Sequence, residues 1–200
     1  MAITGSLASG KSTFVKLLGD LGAETVSADE VVHHLLANNQ EAITAVAQRF
    51  GEDVRDEGGG IDRKALGRVV FGDAEALRDL EEILHPRVRE ETDRHAATSS
   101  ADLFVAEIPL LFEGGGSERF DLTVAVTAPD ERRKRWAQER EMGEDQFHAI
   151  ETRQLAQEEK ARRADVAVKN DSDLDKLKER AESLVRQVLE EKGSVDERGA

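Results

Sequence analysis

The chain of 200 residues contains no cysteine, which excludes a disulfide framework, a cysteine-ligated zinc site and thiol chemistry. It has no apolar run close to the ~20 residues of a membrane-spanning helix, and no signal segment opens it. A formal net charge of −14 argues against a general nucleic-acid-binding protein, which usually presents a basic face. We therefore expect a protein that binds neither membranes nor nucleic acid. The absence of cysteine is compatible with a cytoplasmic location, which we expect, and we also expect a monomer with at most weak self-association.

One glycine-rich segment near the start of the chain predicts nucleotide binding. The residues Gly5-Ser-Leu-Ala-Ser-Gly10-Lys11-Ser12 have the spacing of a phosphate-binding loop, which is glycine, four residues and then Gly-Lys-Ser. A strand-like run, 1–4, precedes the segment, and a stretch with helical spacing, 12–21, follows it. In such a loop the backbone N–H groups surround phosphate oxygens, the lysine adds positive charge, and the final hydroxyl is suited to Mg²⁺. A chance match in a turn is the alternative, but the strand–loop–helix context favours a site for a nucleoside triphosphate.

Two acidic residues come at the ends of predicted strands. Asp29 follows a short strand at 24–28 and opens the next helix, and Glu107 ends a buried apolar run at 102–109. Because ligands of open α/β sheets bind at the carboxyl ends of the strands, we predict that Asp29 lies beside the phosphate loop. Glu107 resembles a Walker B acid, and we predict that it binds Mg²⁺ together with Ser12. The alternatives are an N-cap role for Asp29 and a solvent-facing strand edge for Glu107.

The order of strands and helices predicts an α/β fold, a P-loop NTPase core with a five-stranded parallel sheet, a helical substrate-binding insertion and a helical lid. We assign the core to residues 1–37, 102–130 and 164–192, the acceptor-binding insertion to 38–101, the lid to 131–163 and a frayed tail to 193–200. In the insertion, Pro86 is expected to interrupt or begin a helix rather than lie inside one. The lid is predicted as two basic helices, the first beginning with Pro129 and the second covering 144–161. This organisation is typical of a small-molecule kinase.

Further motifs are more specific than the phosphate loop, and together they cover nearly the whole chain. They are Ile3-Thr-Gly5, Ser9-Gly-Lys-Ser-Thr13, Ser27-Ala-Asp29, Gly60-Ile-Asp-Arg63, Val70-Phe71, His85-Pro86, Pro109-Leu-Leu-Phe-Glu113, Arg140-Glu141, Gln154, Lys160, Ala164-Asp165 and Asn170. By these motifs the chain resembles the dephospho-coenzyme A kinase family. The resemblance implies ATP-dependent phosphorylation of the ribose 3′-hydroxyl of dephospho-CoA, which gives CoA and ADP in the last step of coenzyme A biosynthesis.

The resemblance also implies roles for individual residues. Asp29 matches the aspartate thought to activate the acceptor hydroxyl, Lys11 acts on the terminal phosphates, and Arg140 matches a lid arginine that neutralises charge on the transferring group. The ATP-binding residues are then Ala8, Ser9, Gly10, Lys11, Ser12 and Thr13, with Mg²⁺ held by Ser12 and Glu107. The residues expected to bind dephospho-CoA are Asp29, His85, Pro109, Leu110, Leu111 and Glu113.

The chain departs from the family pattern at a few positions. Ser6 and Ala8 stand where the phosphate loop usually has glycine, and Ala8 is tolerated there without strain only if its φ stays negative. Ser27 replaces a frequent aspartate, which removes a contact in the metal shell or the structure but spares Asp29. Glu107 stands where many relatives have aspartate, and it offers the same charge on a longer side chain.

Other functions remain open at this point. Another P-loop kinase that acts on a nucleoside, a nucleotide or a shikimate-like acceptor fits the general features equally well. A GTPase is disfavoured because no Asp-x-x-Gly switch follows the third predicted strand, and an ABC-type ATPase because no Leu-Ser-Gly-Gly signature is present. A nucleotide-sensing protein without turnover is disfavoured because both Lys11 and Asp29 are present.

Overall fold

Short runs of small and β-branched apolar residues alternate with longer amphipathic stretches along the chain, which is the pattern of an α/β fold. In a computed structural model that describes residues 1–196, these runs form five strands and nine α-helices. In chain order they are β1 (Ala2–Thr4), α1 (Lys11–Asp20), β2 (Glu24–Ser27), α2 (Ala28–Asn38), α3 (Gln40–Phe50), α4 (Arg63–Val70), α5 (Ala74–Thr98), β3 (Phe104–Glu107), β4 (Thr123–Thr127), α6 (Asp130–Glu139), α7 (Glu144–Glu151), α8 (Gln157–Arg163), β5 (Val166–Lys169) and α9 (Leu174–Asp196). Short 3₁₀ turns lie at Glu52–Val54 and Ser117–Arg119.

The strands form a sheet in the order β2-β3-β1-β4-β5. β1 pairs in parallel with β3 and β4, and β4 pairs in parallel with β5. Ile3, at the centre of the sheet, lies opposite Glu107 on one side and Val124 on the other. A central parallel strand is covered on both faces, which is why every residue of β1 is buried. The predicted α/β class with a five-stranded parallel sheet is confirmed.

The chain divides into two compact units, the first formed by Met1–Thr25 with the chain from Ser99 onward, and the second by Val26–Thr98. In the first unit, α1 and α9 pack against the sheet because each has an apolar face with helical spacing. The buried core of this unit includes Ile3, Phe14, Leu18, Val105, Val124, Val126, Val168, Leu177, Ala181 and Leu184. The sheet core thus lies directly beneath the loop that joins β1 to α1.

The second unit is helical and has its own core. Its largest buried cluster comprises Leu36, Ile43, Val46, Val54, Ile61, Leu66, Val70, Ala76 and Leu84. Side-chain caps set two of the helix starts: Asn39 accepts a hydrogen bond from the backbone of Ala42 at 2.9 Å, and Asp62 accepts from Lys64 and Ala65. The predicted insertion, 38–101, falls almost entirely in this unit.

Pro86 lies inside α5, so the expectation that it would interrupt or begin a helix is wrong. Proline lacks an N–H group, and the carbonyl of Glu82 therefore loses its helical partner. Both residues are exposed, so water is able to replace that bond. The neighbouring carbonyl of Ile83 accepts a hydrogen bond from the Arg87 guanidinium at 2.6 Å. Packing of the buried Leu84 in the core of the second unit then outweighs the local cost of the proline.

The predicted lid also differs in its helices. Pro129 is the N-cap residue of α6 rather than its first residue, and the second predicted helix is broken into α7 and α8. The break occurs where Gln154 and Leu155 make contacts with distant parts of the first unit instead of continuing the helix. The closing helix α9 extends through Asp196 and includes the start of the predicted tail. The rest of that tail, 197–200, lies outside the described residues.

Asp165 joins the starts of β4 and β5 through a hydrogen-bonded carboxylate. Its Oδ2 accepts from the backbone N–H of Thr123 at 2.8 Å and from the Thr123 hydroxyl at 2.7 Å. These bonds favour the charged form of the carboxyl group and hold the pKa of Asp165 below its usual value of 3.8. The bond with the Thr123 hydroxyl has the largest effect. Because the pKa is lower in the folded state than in the unfolded chain, the stabilisation is present above the unfolded value and is lost as the pH falls through the folded value.

We therefore expect Asp165→Asn to flatten the acid side of the stability profile. The free energy of unfolding of the unsubstituted chain should fall more steeply than that of the variant below about pH 4. Urea unfolding at pH 7 and at several values between about pH 4 and pH 2 measures the difference. Asp53→Asn removes an exposed carboxylate and is the control. Parallel profiles for the unsubstituted chain and Asp165→Asn would contradict the assignment.

Candidate active site

The loop between β1 and α1 packs closely against β4. A Cβ atom on Gly5 would lie 2.5 Å from the carbonyl oxygen of Val126 and 2.6 Å from the Ser9 hydroxyl, so a side chain does not fit there. α1 begins at Lys11, and the amide of Phe14 donates to the carbonyl of Gly10 at 3.0 Å. The loop therefore ends at a helix N-terminus, where N–H groups without helical partners favour an anion. A loop that ends at a helix N-terminus is a feature that phosphate-binding loops share.

Asn170, the residue after β5, supports the second half of the loop. It is buried, and its Nδ2 donates to the carbonyl of Ser9 at 3.0 Å while its backbone N–H donates to Thr127 at 2.6 Å. A Cβ atom on Gly10 would collide with that Nδ2 group, and Gly10 has a φ of 88°. Asn170 was not among the predicted site residues. Its only signal in the sequence was its place in the family motifs.

We expect Gly10→Ala to disrupt nucleotide binding. The new methyl group would displace Asn170 and the loop, and misplacement by about 1 Å typically costs about 100-fold in turnover. Gly22→Ala is a matched control, because Gly22 has a φ of 97° but nothing within 4 Å of its Cβ position. The control should lose only the strain energy of a left-handed alanine, about 1–2 kcal/mol. Thermal unfolding and kcat/KM for ATP measure both effects, and equal kinetic losses in the two variants would contradict this prediction.

The structure brings the two predicted metal ligands together. Glu107 is buried at the end of β3, and its Oε1 accepts a hydrogen bond from the Ser12 hydroxyl at 2.6 Å. A hydroxyl and a carboxylate are hard oxygen ligands of the kind that Mg²⁺ prefers. Among the described residues, no group of three or more His, Cys, Asp or Glu side chains could hold a metal ion. The pair therefore fits Mg²⁺ that takes its other ligands from phosphates and water, as is usual for this ion.

Ala8 does not keep the negative φ that would avoid strain. Its φ is 56°, in the left-handed region, where a non-glycine residue costs roughly 1–2 kcal/mol. The methyl group is buried and packs in a small apolar cluster with Ala137 of α6 and Phe147 of α7. Tertiary packing thus holds a conformation that the local sequence disfavours.

The segment after β3, predicted to bind the acceptor, is attached to α8 by a buried lysine. Lys160 has 0 % exposed surface, and its Nζ donates to the carbonyl of Pro109 at 2.6 Å and pairs with Glu113 at 2.9 Å. Glu113 also accepts from the backbone of Leu155 at 2.8 Å. Burial lowers the pKa of Lys160, and the hydrogen bond that its ammonium group donates to the Glu113 carboxylate opposes that shift. Lys160 is therefore engaged in holding this segment and is not among the basic side chains open to phosphate.

Arg140 lies at the end of α6 beside the phosphate loop. The next residue, Glu141, has a φ of 60°, and its N–H and that of Met142 bond back to Gln138 and Ala137. This is a Schellman motif, which sets the direction of the chain at Arg140. Arg140 borders an open cavity of about 450 Å³. The lining of this cavity includes Gly10, Thr13, Trp136, Arg140, Asn170 and Leu174.

Two predicted site residues belong to the second unit and are described within it. Asp29 is exposed in the first turn of α2, and Ser27, not Asp29, occupies the N-cap position. The interpretation of Asp29 as an N-cap is therefore wrong, and its carboxylate is not used for that purpose. His85 is half-buried in α5, next to Pro86.

Comparison with known proteins gives one consistent result. The sequence model of the family CoaE, dephospho-CoA kinase, matches residues 1–176. The dephospho-CoA kinase of Mesorhizobium japonicum is 37% identical over 198 residues, covering 97% of this chain and 98% of that protein. A crystal structure of a Thermus thermophilus protein has a TM-score of 0.79 at 34% identity, covering 93% of this chain and 95% of the other. The dephospho-CoA kinase structure from Campylobacter jejuni has a TM-score of 0.69 at 30% identity, covering 94% and 95%. These matches confirm the resemblance identified from the motifs, and the chain belongs to the dephospho-CoA kinase family.

Proposed function

We propose that this chain transfers the γ-phosphoryl group of ATP to the ribose 3′-hydroxyl of dephospho-CoA, forming CoA and ADP. The family assignment supports the reaction and the enzyme class. The observation that carries the proposal at the level of residues is the hydrogen bond between Ser12 and Glu107 at the start of α1. A hydroxyl and a buried carboxylate beside a phosphate loop form a site for a nucleotide with its metal ion. A turn that matched the phosphate-loop spacing by chance would have no need of this pair.

The phosphate loop binds and orients ATP in this proposal. The backbone N–H groups from Ala8 to Thr13 surround the phosphates, and Lys11 places its ammonium group against the terminal ones. Ser12 and Glu107 hold Mg²⁺, which when bound neutralises negative charge on the β- and γ-phosphates. Asn170 donates a hydrogen bond to the Ser9 carbonyl, and in this proposal that bond keeps the carbonyl from facing the phosphates, so that only donors of the loop meet the anion.

The cavity beside the loop is suited to the adenine base. Its lining includes the half-buried ring of Trp136, the exposed side chain of Leu174 and Thr13 on α1. A planar base gains from contact with an aromatic ring and an apolar side chain, because both remove its faces from water. Arg140 borders the same cavity and would neutralise charge on the transferring phosphoryl group.

Asp29 acts as the general base in this proposal. Proton transfer requires an acceptor within hydrogen-bond reach of the hydroxyl, and an exposed carboxylate with no capping role is available for that task. His85 and the segment Pro109, Leu110, Leu111 and Glu113 contribute to binding of dephospho-CoA. The attachment of Glu113 to Lys160 gives that segment a defined position within the first unit.

The test is an assay by mass spectrometry with ATP, Mg²⁺ and a panel of acceptors: dephospho-CoA, nucleosides, nucleoside monophosphates and shikimate. We expect one added phosphoryl group on dephospho-CoA alone, with a product that co-elutes with authentic CoA. An analogue of dephospho-CoA that lacks the 3′-hydroxyl should not react, which locates the transfer. Transfer to another acceptor would support the assignment as a P-loop kinase but would contradict the assignment of dephospho-CoA as the substrate. Binding of ATP without transfer to any acceptor would favour a nucleotide sensor.

Three further predictions concern the cellular location of the enzyme, its oligomeric state and its binding of nucleic acid. We propose that it is cytoplasmic, monomeric and without affinity for nucleic acid. In the part of the chain that the structure describes, no helix is long and apolar enough to cross a membrane. Light scattering during size-exclusion chromatography measures the oligomeric state, and a dimer mass at micromolar concentration would refute the monomer.

A further inference from the structure

The backbone of Leu7, in the middle of the phosphate loop, is held at both its N–H and its carbonyl group by the predicted lid, residues 131–163. The Nε of Arg133 donates to the Leu7 carbonyl at 3.0 Å. The Leu7 N–H donates to Oε1 of Gln154 at 3.0 Å. Arg133 lies on α6 and Gln154 follows α7, so two parts of the lid segment hold the two successive peptide groups on either side of the Leu7 Cα atom.

Arg133 is itself held firmly. Its side chain is 3 % exposed, and its two terminal nitrogens pair with Asp130 at 2.9 Å and Glu151 at 2.7 Å. The guanidinium also lies 5.5 Å from the centre of the Phe147 ring. All three guanidinium nitrogens therefore have partners, which is what a buried charge requires. The carbonyl of Leu7 is one of those partners, so its position is determined by the helices of the lid segment.

The residue after Leu7 is the strained Ala8, with a φ of 56°. Its methyl group packs against Ala137 and Phe147, which belong to the same lid segment. An alanine released from these contacts has a strong preference for negative φ, whereas a glycine in the same place has little preference. The conformation of the phosphate loop at this point therefore depends on contacts with the lid segment.

We propose that Arg133 and Gln154 are positioning residues that keep the Leu7–Ala8 backbone in the geometry that binds ATP, so that nucleotide affinity depends on the docked lid segment. The lid segment thus acts on the phosphate loop through its backbone as well as on the nucleotide through Arg140. This proposal rests on the proposed function, since it concerns the same ATP site. Because residue 8 is alanine, the left-handed backbone conformation there has to be stabilised by the lid segment. A glycine at the same position would adopt that conformation without such contacts.

The test compares Arg133→Met in two backgrounds, the natural Ala8 and Ala8→Gly. We expect Arg133→Met to raise the Kd for ATP about tenfold with Ala8, within the usual range of coupling between sites. In the Ala8→Gly background the same substitution should raise Kd less than about twofold, because glycine takes the left-handed conformation without help. Isothermal titration calorimetry with ATP and Mg²⁺, without acceptor, measures Kd directly. In assays, KM for ATP should rise while KM for dephospho-CoA stays constant.

Two controls separate positioning from general damage. Arg135→Met removes an exposed arginine of the same helix, whose ion pair is with the surface residue Glu139, and it should leave Kd unchanged. If Arg133→Met unfolds the chain, Gln154→Met tests the same dependence of ATP affinity on the lid contacts. Methionine keeps the length of glutamine but cannot accept the Leu7 hydrogen bond with a carbonyl oxygen, and the same dependence on residue 8 is expected.

Three outcomes would overturn the proposal. An unchanged Kd in both Arg133→Met and Gln154→Met would show that the contacts do not influence the loop. An equal rise in Kd in the Ala8 and Ala8→Gly backgrounds would show that the effect does not pass through Ala8. No binding of ATP by the unsubstituted chain would refute the proposed function itself, and so it is distinguishable from a failure of the coupling alone.

Discussion

Replacing Asp29 with asparagine is expected to lower kcat about a thousandfold, within the 10²–10⁴ range for loss of a general base. Asparagine has nearly the same shape as aspartate but does not take a proton from the acceptor hydroxyl. Asp29 does not cap its helix, so the substitution should leave thermal stability nearly unchanged. Binding of ATP should also remain nearly intact, because Asp29 is not part of the phosphate loop. Steady-state assays with dephospho-CoA, together with calorimetry for ATP, measure the two quantities.

Glu30→Gln is the matched control for Asp29→Asn. Glu30 is the next residue, is exposed and lies in the same first turn of α2. Its carboxylate therefore interacts with the positive end of the helix dipole as that of Asp29 does. The control should retain nearly full kcat. A kcat of Asp29→Asn within threefold of the control would remove Asp29 as the base. A large loss of ATP affinity in Asp29→Asn would assign the residue to nucleotide binding instead.

Replacing Lys11 with alanine is expected to lower kcat/KM for ATP by about 10²–10³, the loss typical of one catalytic electrostatic contact. The ammonium group binds the terminal phosphates both before and during transfer, so affinity and turnover should fall together. Lys11 is the first residue of α1, and alanine is a good helix former, so the helix should remain. Calorimetry with ATP and steady-state kinetics measure both changes.

Lys16→Ala is the matched control for Lys11→Ala. Lys16 is an exposed lysine of the same helix, and its ion pair with Asp20 lies on the surface, where such a pair contributes little. The control should bind and turn over ATP almost as the unsubstituted chain does. If the two alanine variants behave alike, the assignment of the phosphate loop is wrong, and the function proposed from it is wrong as well.

Local patterns account for the parts of this protein that could be predicted from the sequence. The spacing of glycine, lysine and serine before a helix is a local requirement of phosphate binding, and the structure has that helix begin at Lys11. Buried strands are short apolar runs, so the five-stranded parallel sheet could be predicted from hydrophobicity. The proximity of Ser12 and Glu107 could be predicted from the rule that ligands of open α/β sheets bind at the carboxyl ends of the strands.

Local rules failed where tertiary contacts were stronger. Pro86 stays inside α5 because the packing of Leu84 before it and of Val88 after it outweighs one lost hydrogen bond. Ala8 has a left-handed conformation, and its methyl group is buried against Ala137 and Phe147. The predicted second lid helix ends early because Gln154 and Leu155 bond to distant residues. The local cost is about 3 kcal/mol for a proline inside a helix and about 1–2 kcal/mol for a left-handed alanine.

The sequence by itself determined the class of fold and the family, because both depend on residues that are close in the chain or on motifs of fixed composition. Only the tertiary structure decided what supports the phosphate loop. Asn170 is 161 residues from Ser9, Gln154 is 147 from Leu7, and Arg133 is 126 from Leu7. Contacts over such separations leave no spacing to find, because they depend on how the sheet and the helices bring distant segments together.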